Sequence, residues 1–97
     1  MYKNMYKNVL GERIRAERIK RNWSQQDVAE QLAASLDVAK AWEGKHELFP
    51  NPETVGRWER GVQIPSRYYR KLLCSVFEIT EVEIAALLRE NFEFKRT

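Results

Sequence analysis

Helix start and stop signals recur along the whole chain, and no segment of four or more residues alternates convincingly at period two. Such a sequence is expected to fold as helices without a sheet. Leu10, Ile14 and the aliphatic stem of Arg18 follow a four-residue step, which predicts a first helix from about Leu10 to Asn22. Asn22 can end it, because Asn tolerates the left-handed conformation. Ser24 is a good N-cap for a second helix, and Asp27 stands three residues on, a weak relative of the capping box. Val28, Ala29 and Leu32 form its apolar side. No Gly or Pro occurs from Ser24 to Glu43, and Val28, Leu32, Leu36, Ala39 and Trp42 continue one stripe at helical spacing. Gly44 is the first strong stop.

Residues 44–51 read as a loop. Asn51-Pro52 opens another helix, with Asn as N-cap and Pro in the first turn, where its missing N–H costs nothing. Gly61 closes the run Pro52–Arg60. Pro65-Ser66 introduces a helix from Arg67 to Phe77, with Tyr69, Leu72, Leu73, Val76 and Phe77 on its apolar face. Thr80 and Glu83 form a capping box for the last helix, with Val82, Ile84, Leu87 and Leu88 expected inward. Residues 91–97 read as a frayed tail and residues 1–9 as an N-terminal arm. The tetrapeptide MYKN occurs twice at the start, and residues 35–50 weakly echo residues 51–66, aligning Trp42-Glu43 with Trp58-Glu59 at an offset of 16.

Ninety-seven residues suffice for one domain with one core. Hydrophobic residues make up 43% and charged residues 32%, which excludes a disordered or collagen-like chain. No stretch approaches the roughly 20 apolar residues of a membrane span. The opening residues lack the apolar run of a secretory signal, so a cytoplasmic, nucleoid-associated location is expected. Cys74, the one cysteine, makes no internal disulfide and no cysteine-based metal site. Its neighbours Leu72, Leu73 and Val76 suggest a small core hydrophobe.

Catalysis finds little support. The one histidine, His46, stands in a loop beside Glu47, and the chain has no Gly-rich phosphate loop, metal-ligand spacing or nucleophile elbow. No enzymatic activity, cofactor or metal is therefore expected. The net charge of +3 is unevenly spread: +5 over residues 1–23, −3 over 24–51, +3 over 52–74 and −2 over 75–97. Two basic blocks folded onto one face would attract phosphates, and a merely mixed solvated surface is the plainer reading.

A helix-turn-helix organises these residues better than any enzyme site. Ser24-Gln25-Gln26 opens a candidate first helix with amides able to donate to phosphate. The helix from Asn51-Pro52 presents Asn51, Glu53, Thr54 and Arg57 near its start. Arg can bind guanine O6 and N7 together, and Asn can pair with adenine. Arg60, Arg67 and Arg70 are placed to meet the backbone. The plainer reading is an amphipathic helix in a small bundle with its arginines in solvent.

The segments Ser24-Gln25-Gln26-Asp27-Val28-Ala29, Thr54-Val55-Gly56-Arg57-Trp58-Glu59-Arg60-Gly61 and Pro65 resemble the Cro/repressor-type, or XRE-type, helix-turn-helix family. The resemblance covers roughly Leu10 to Leu88. It implies a five-helix, lambda-repressor-like fold and sequence-specific binding of double-stranded DNA in transcriptional regulation. It further implies that Gln25 touches phosphate, that Asn51, Glu53, Thr54 and Arg57 face the major groove, and that Arg67 approaches the backbone. Arg18 and Glu59 match a family ion pair, worth about 3–5 kcal/mol if one partner of a buried pair is removed. Val55 and Trp58, on the side away from the groove, are expected in the core. A homodimer on a palindromic site is the family expectation.

The chain departs from the family between the two DNA-binding helices. The usual turn is about 3–4 residues long. Here some 16 extra residues intervene, and Ala33 stands where the family has a turn glycine. Three arrangements follow. Residues 36–43 are themselves the reading helix, or they form an extra helix, or the second helix continues to about Glu43 and a loop returns. The return is feasible, since about nine extra helical residues advance ~14 Å and eight loop residues span up to ~26 Å. The continuous helix is the arrangement expected here. Trp42, Leu48 and Phe49 would then cover the core or offer the 36–51 insert to a protein partner. A protein-interaction module that kept the fold and lost specific DNA binding is the rival reading.

Overall fold

The computed structural model describes residues 8–35 and 51–93. Over these residues the chain is all-helical, with five helices and no strand: α1 (Val9–Lys20), α2 (Gln25–Ala34), α3 (Pro52–Arg60), α4 (Arg67–Phe77) and α5 (Glu81–Glu93). The stripe through Leu36, Ala39 and Trp42, the loop around His46, Leu48 and Phe49, and the MYKN repeat lie outside the described residues.

Local chemistry sets most helix ends. Asn22 takes the left-handed conformation just after α1, at φ 62°. Ser24 and Asp27 form a full capping box: the Asp27 N–H donates to Ser24 Oγ at 3.0 Å, and the Ser24 N–H donates to Asp27 Oδ2 at 2.8 Å. Asn51 caps α3 through its Oδ1, which accepts the Thr54 N–H at 2.8 Å. Gly61 closes α3 in the left-handed conformation at φ 77°, as a glycine without a Cβ does readily. Ser66 Oγ accepts from the Tyr69 N–H and Thr80 Oγ1 from the Glu83 N–H, at 3.3 and 3.0 Å.

Two boundaries and the burial of one residue differ from expectation. The second helix is bounded at Ala34 with Ser35 as its C-cap, and residues 36–43, over which it was expected to continue, lie outside the described residues. Ser35 has ψ near −4°, its N–H is shared between the Gln31 and Leu32 carbonyls, and its hydroxyl donates back to Gln31 O at 3.1 Å. The shared N–H and the back-bonded hydroxyl tighten the last turn of the helix. Ala33 lies inside the helix and needs no left-handed conformation. At the other end, α5 runs through to Glu93, and Asn91 is buried where a frayed tail was expected. Val82 is 79% exposed and not part of the core. Ile84, Leu87, Leu88 and Asn91 share one helical stripe, and Val82 falls on the opposite side of it.

The core is contiguous. Leu10 and Ile14 of α1, Val28, Ala29 and Leu32 of α2, Val55 and Trp58 of α3, Leu73 and Phe77 of α4, Ile79, and Ile84 of α5 are all buried. α3 packs against both α1 and α2, α4 against α2 and α5, and α5 against α1. Gly11 allows the closest approach of α1 to α3: a Cβ there would collide with the backbone carbonyl oxygen of Trp58. The Trp58 ring in turn tilts against Tyr69 with centroids 5.4 Å apart, tying α3 to α4. Cys74 is half-buried and packs against this core, and burial raises its thiol pKa.

Candidate nucleic-acid interface

An ion pair anchors α3 to α1. Arg18 Nε and Nη2 donate to Glu59 Oε2 and Oε1 at 2.6 and 3.0 Å, a two-pronged contact. The Glu59 side chain is only 4% exposed. Arg18 also donates through Nη1 to the Trp23 carbonyl at 3.1 Å, and its bond to Glu59 raises the guanidinium pKa.

Gln25 joins the same group from the first turn of α2. Its Nε2 donates to Glu59 Oε1 at 3.1 Å. That bond holds the Gln25 amide against the middle of α3. A Cβ built on Gly56 would stand 3.3 Å from Gln25 Oε1 and 3.0 Å from Arg60 Nη1. Gly56 therefore gives room for two polar side chains, one from each helix, to lie side by side. An alanine there would push at both.

The other expected residues spread around this junction. Glu53 is exposed and Arg57 half-buried on α3, and they pair with each other, Nη2 to Oε2, at 2.9 Å. Thr54 is half-buried, and Asn51 is exposed with its Oδ1 committed to the cap. Gln26 points into solvent and donates to Glu30 Oε2 at 2.9 Å, one turn along α2. Arg67 is exposed at the start of α4, where it lines a groove with Arg70, Lys71, Cys74, Ile84 and Leu88. Arg70 is partly tied down, because its Nη1 donates to the Pro65 carbonyl at 2.8 Å.

Two polar groups that sequence reasoning did not single out prove central to the scaffold. Glu17 is buried on α1 and holds three cations: Arg21 at 2.7 Å, Arg13 at 2.8 Å and Lys20 at 3.3 Å. Arg13 reaches on to Glu83 of α5, and Arg21 to the Phe77 carbonyl at the end of α4. Asn91 turns its carboxamide to the start of α1. The only sequence signal for Glu17 was its i,i+4 spacing from Arg13 and Arg21, which an exposed helix face would show equally well.

No group of three or more His, Cys, Asp or Glu side chains able to hold a metal ion occurs among the described residues. No described helix is long and apolar enough to cross a membrane. Compared with known protein families, with curated proteins and with solved structures, the chain matches none.

Proposed function

We propose that this chain is a sequence-specific, double-stranded DNA-binding domain of the Cro/repressor-type helix-turn-helix kind, with a lambda-repressor-like arrangement of its five helices, acting in transcriptional regulation. The observation that carries the reading is the junction at Gly56. There the first turn of α2 and the polar side of α3 meet, with Gln25 and Arg60 side by side. A helix-turn-helix needs this juxtaposition: one helix start near phosphate beside a second helix whose early side chains reach base edges.

In this reading α3 enters the major groove with Glu53 and Arg57 outward, while Val55 and Trp58 fasten its other side to the core. Gln25 has a second amide hydrogen beyond the one given to Glu59, and donates it to a phosphate. Arg60 and Arg67 supply the charge at either side, and bound DNA occludes the operator or recruits from it. The Arg18–Glu59 pair keeps α3 seated as it meets the groove. A homodimer on mirrored half-sites and a protein contact through the 36–51 insert belong to the same proposal.

The test is selection of bound duplexes from a randomised pool at one stated salt concentration, followed by titration of the selected site across salt. A recurring motif, with affinity falling steeply as salt rises, is the expected result. Two mirrored half-sites would add dimeric binding. Uniform recovery without a motif would defeat the reading and turn attention to a protein-interaction module on the same scaffold.

A further inference from the structure

Few side chains on α3 keep free hydrogen-bonding capacity toward solvent. Asn51 directs its Oδ1 back to the Thr54 N–H as the cap of α3, which turns its carboxamide along the helix start and away from a paired contact with adenine. Thr54 is half-buried, Gly56 has no side chain, and Arg60, though exposed, stands at the last position of α3, a full turn beyond Gly56 and away from the helix start that reads bases. Glu53 and Arg57 remain, with side chains 70% and 43% exposed.

These two residues act as one unit. Their contact uses one hydrogen of Arg57 Nη2 and Glu53 Oε2, and it leaves the second Nη2 hydrogen with a neighbouring N–H as a two-donor edge of the guanidinium and Glu53 Oε1 as an acceptor. An unpaired carboxylate would be repelled by DNA. Paired with Arg57 it enters the groove within a neutral group, contributing discrimination more than attraction. Residues four apart on a helix are separated by about 6 Å along its axis, and base pairs stack about 3.4 Å apart. The two side chains lean together to 2.9 Å, closer than the rise between their backbone positions, which suits them to neighbouring base pairs.

We propose that the Glu53–Arg57 pair is the specificity-determining element of α3 and reads two adjacent G·C base pairs, Arg57 on the guanine of one and Glu53 on the cytosine amino group of the next. Arginine donates to guanine O6 and N7, and a carboxylate accepts from cytosine N4, where, unlike at adenine N6, no N7 acceptor stands on the same base to repel its second oxygen. The inference rests on the DNA-binding reading above and adds the base composition of the contacted step.

Glu53 is exposed and Arg57 half-buried, neither belongs to the core, and thermal melting verifies that their replacement leaves the fold intact. The experiment selects duplexes from a randomised pool at one fixed salt concentration with the full chain, with Glu53→Gln and with Arg57→Ala. The unaltered chain is expected to recover two adjacent G·C pairs at a fixed place in its motif. Glu53→Gln should lose the cytosine preference at one of them or exchange it for adenine, the base that a glutamine amide matches. Arg57→Ala should lose the guanine preference at the other by about 5- to 150-fold. A motif without adjacent G·C pairs, or one that Glu53→Gln leaves unchanged, would overturn the inference while DNA reading stands. Failure of the unaltered chain to select any motif would overturn both.

Discussion

Asn91 caps α1 from the far end of the fold: its Oδ1 accepts the Val9 N–H at 2.7 Å and the Leu10 N–H at 3.2 Å. Asn8 occupies the N-cap position itself but makes no cap. Its Nδ2 donates instead to the Glu59 carbonyl at 2.6 Å. One asparagine thus fastens the start of α1 to the end of α3, and another satisfies the helix donors from α5. Replacing Asn91 by Ala leaves two N–H groups of α1 without that acceptor, one of them in a buried residue. The expected loss is about 1–2 kcal/mol, read as a lower urea midpoint at unchanged slope.

What the sequence reveals here is mostly local. Ser24, Asn51, Ser66 and Thr80 each bond to the N–H three residues on, and each stands in its own sequence as a visible cap. Pro52–Arg60 and Arg67–Phe77 could be bounded for that reason. Asn91 was unreadable because its partners lie 81 and 82 positions away. Glu17 looked like one more charge on a basic helix, and only packing of α4 and α5 onto α1 makes it a buried hub. The last turn of α2 is tightened by the back-bonding of Ser35, which competes with the helix propensity of the alanines before it. At the candidate interface, Glu53 and Arg57 stand out together from their place near the start of α3, and the structure pairs them with each other. The bond from Gln25 to Glu59 required knowing how α2 meets α3.

Glu17 makes stability depend on acid. Burial pushes its carboxyl pKa up, but hydrogen bonds from Arg21, Arg13 and Lys20 outweigh that effect and bring it from 4.5 down to about 2. A depressed folded-state pKa means stabilisation that is complete above about pH 5 and is lost as pH falls from there through about 2. The contribution is on the order of 2–3 kcal/mol at neutral pH. Urea denaturation at several pH values tests this. Glu17→Gln should be destabilised at pH 7, and the gap to the unaltered chain should narrow steadily below about pH 4.5. A gap that stays constant down to pH 2 would contradict the assignment.

The Arg18–Glu59 pair should show strong non-additivity. Arg18→Ala strands a carboxylate that is 4% exposed, and Glu59→Ala strands a guanidinium that is 14% exposed. Each single change should cost about 3–5 kcal/mol, because an uncompensated charge remains inside. Replacing both with Met and Leu removes both charges and fills much of the space, so the double variant should be more stable than either single one. Lysine at position 18 will not substitute, since it cannot make the two-pronged contact and also reach the Trp23 carbonyl. A double-mutant cycle by denaturant titration measures the coupling, and simple addition of the two single losses would refute it.

Under the proposed DNA-binding function, Arg67 separates backbone attraction from base reading. It is exposed at the first position of α4, whereas the neighbouring Arg70 spends one donor on the Pro65 carbonyl. A side chain that neutralises one phosphate releases the counterions held there, so its removal changes the slope of log affinity against log salt by about 0.9. Arg67→Ala should therefore weaken binding to the selected duplex and to unrelated duplexes by the same factor, and flatten the salt dependence by about one unit. Binding titrations on both duplexes across a series of salt concentrations read the two quantities together. Loss on the selected duplex alone would move Arg67 from the phosphates to the bases. An unchanged slope with unchanged affinity would remove it from the interface and shift the backbone contact toward Arg60 and Gln25.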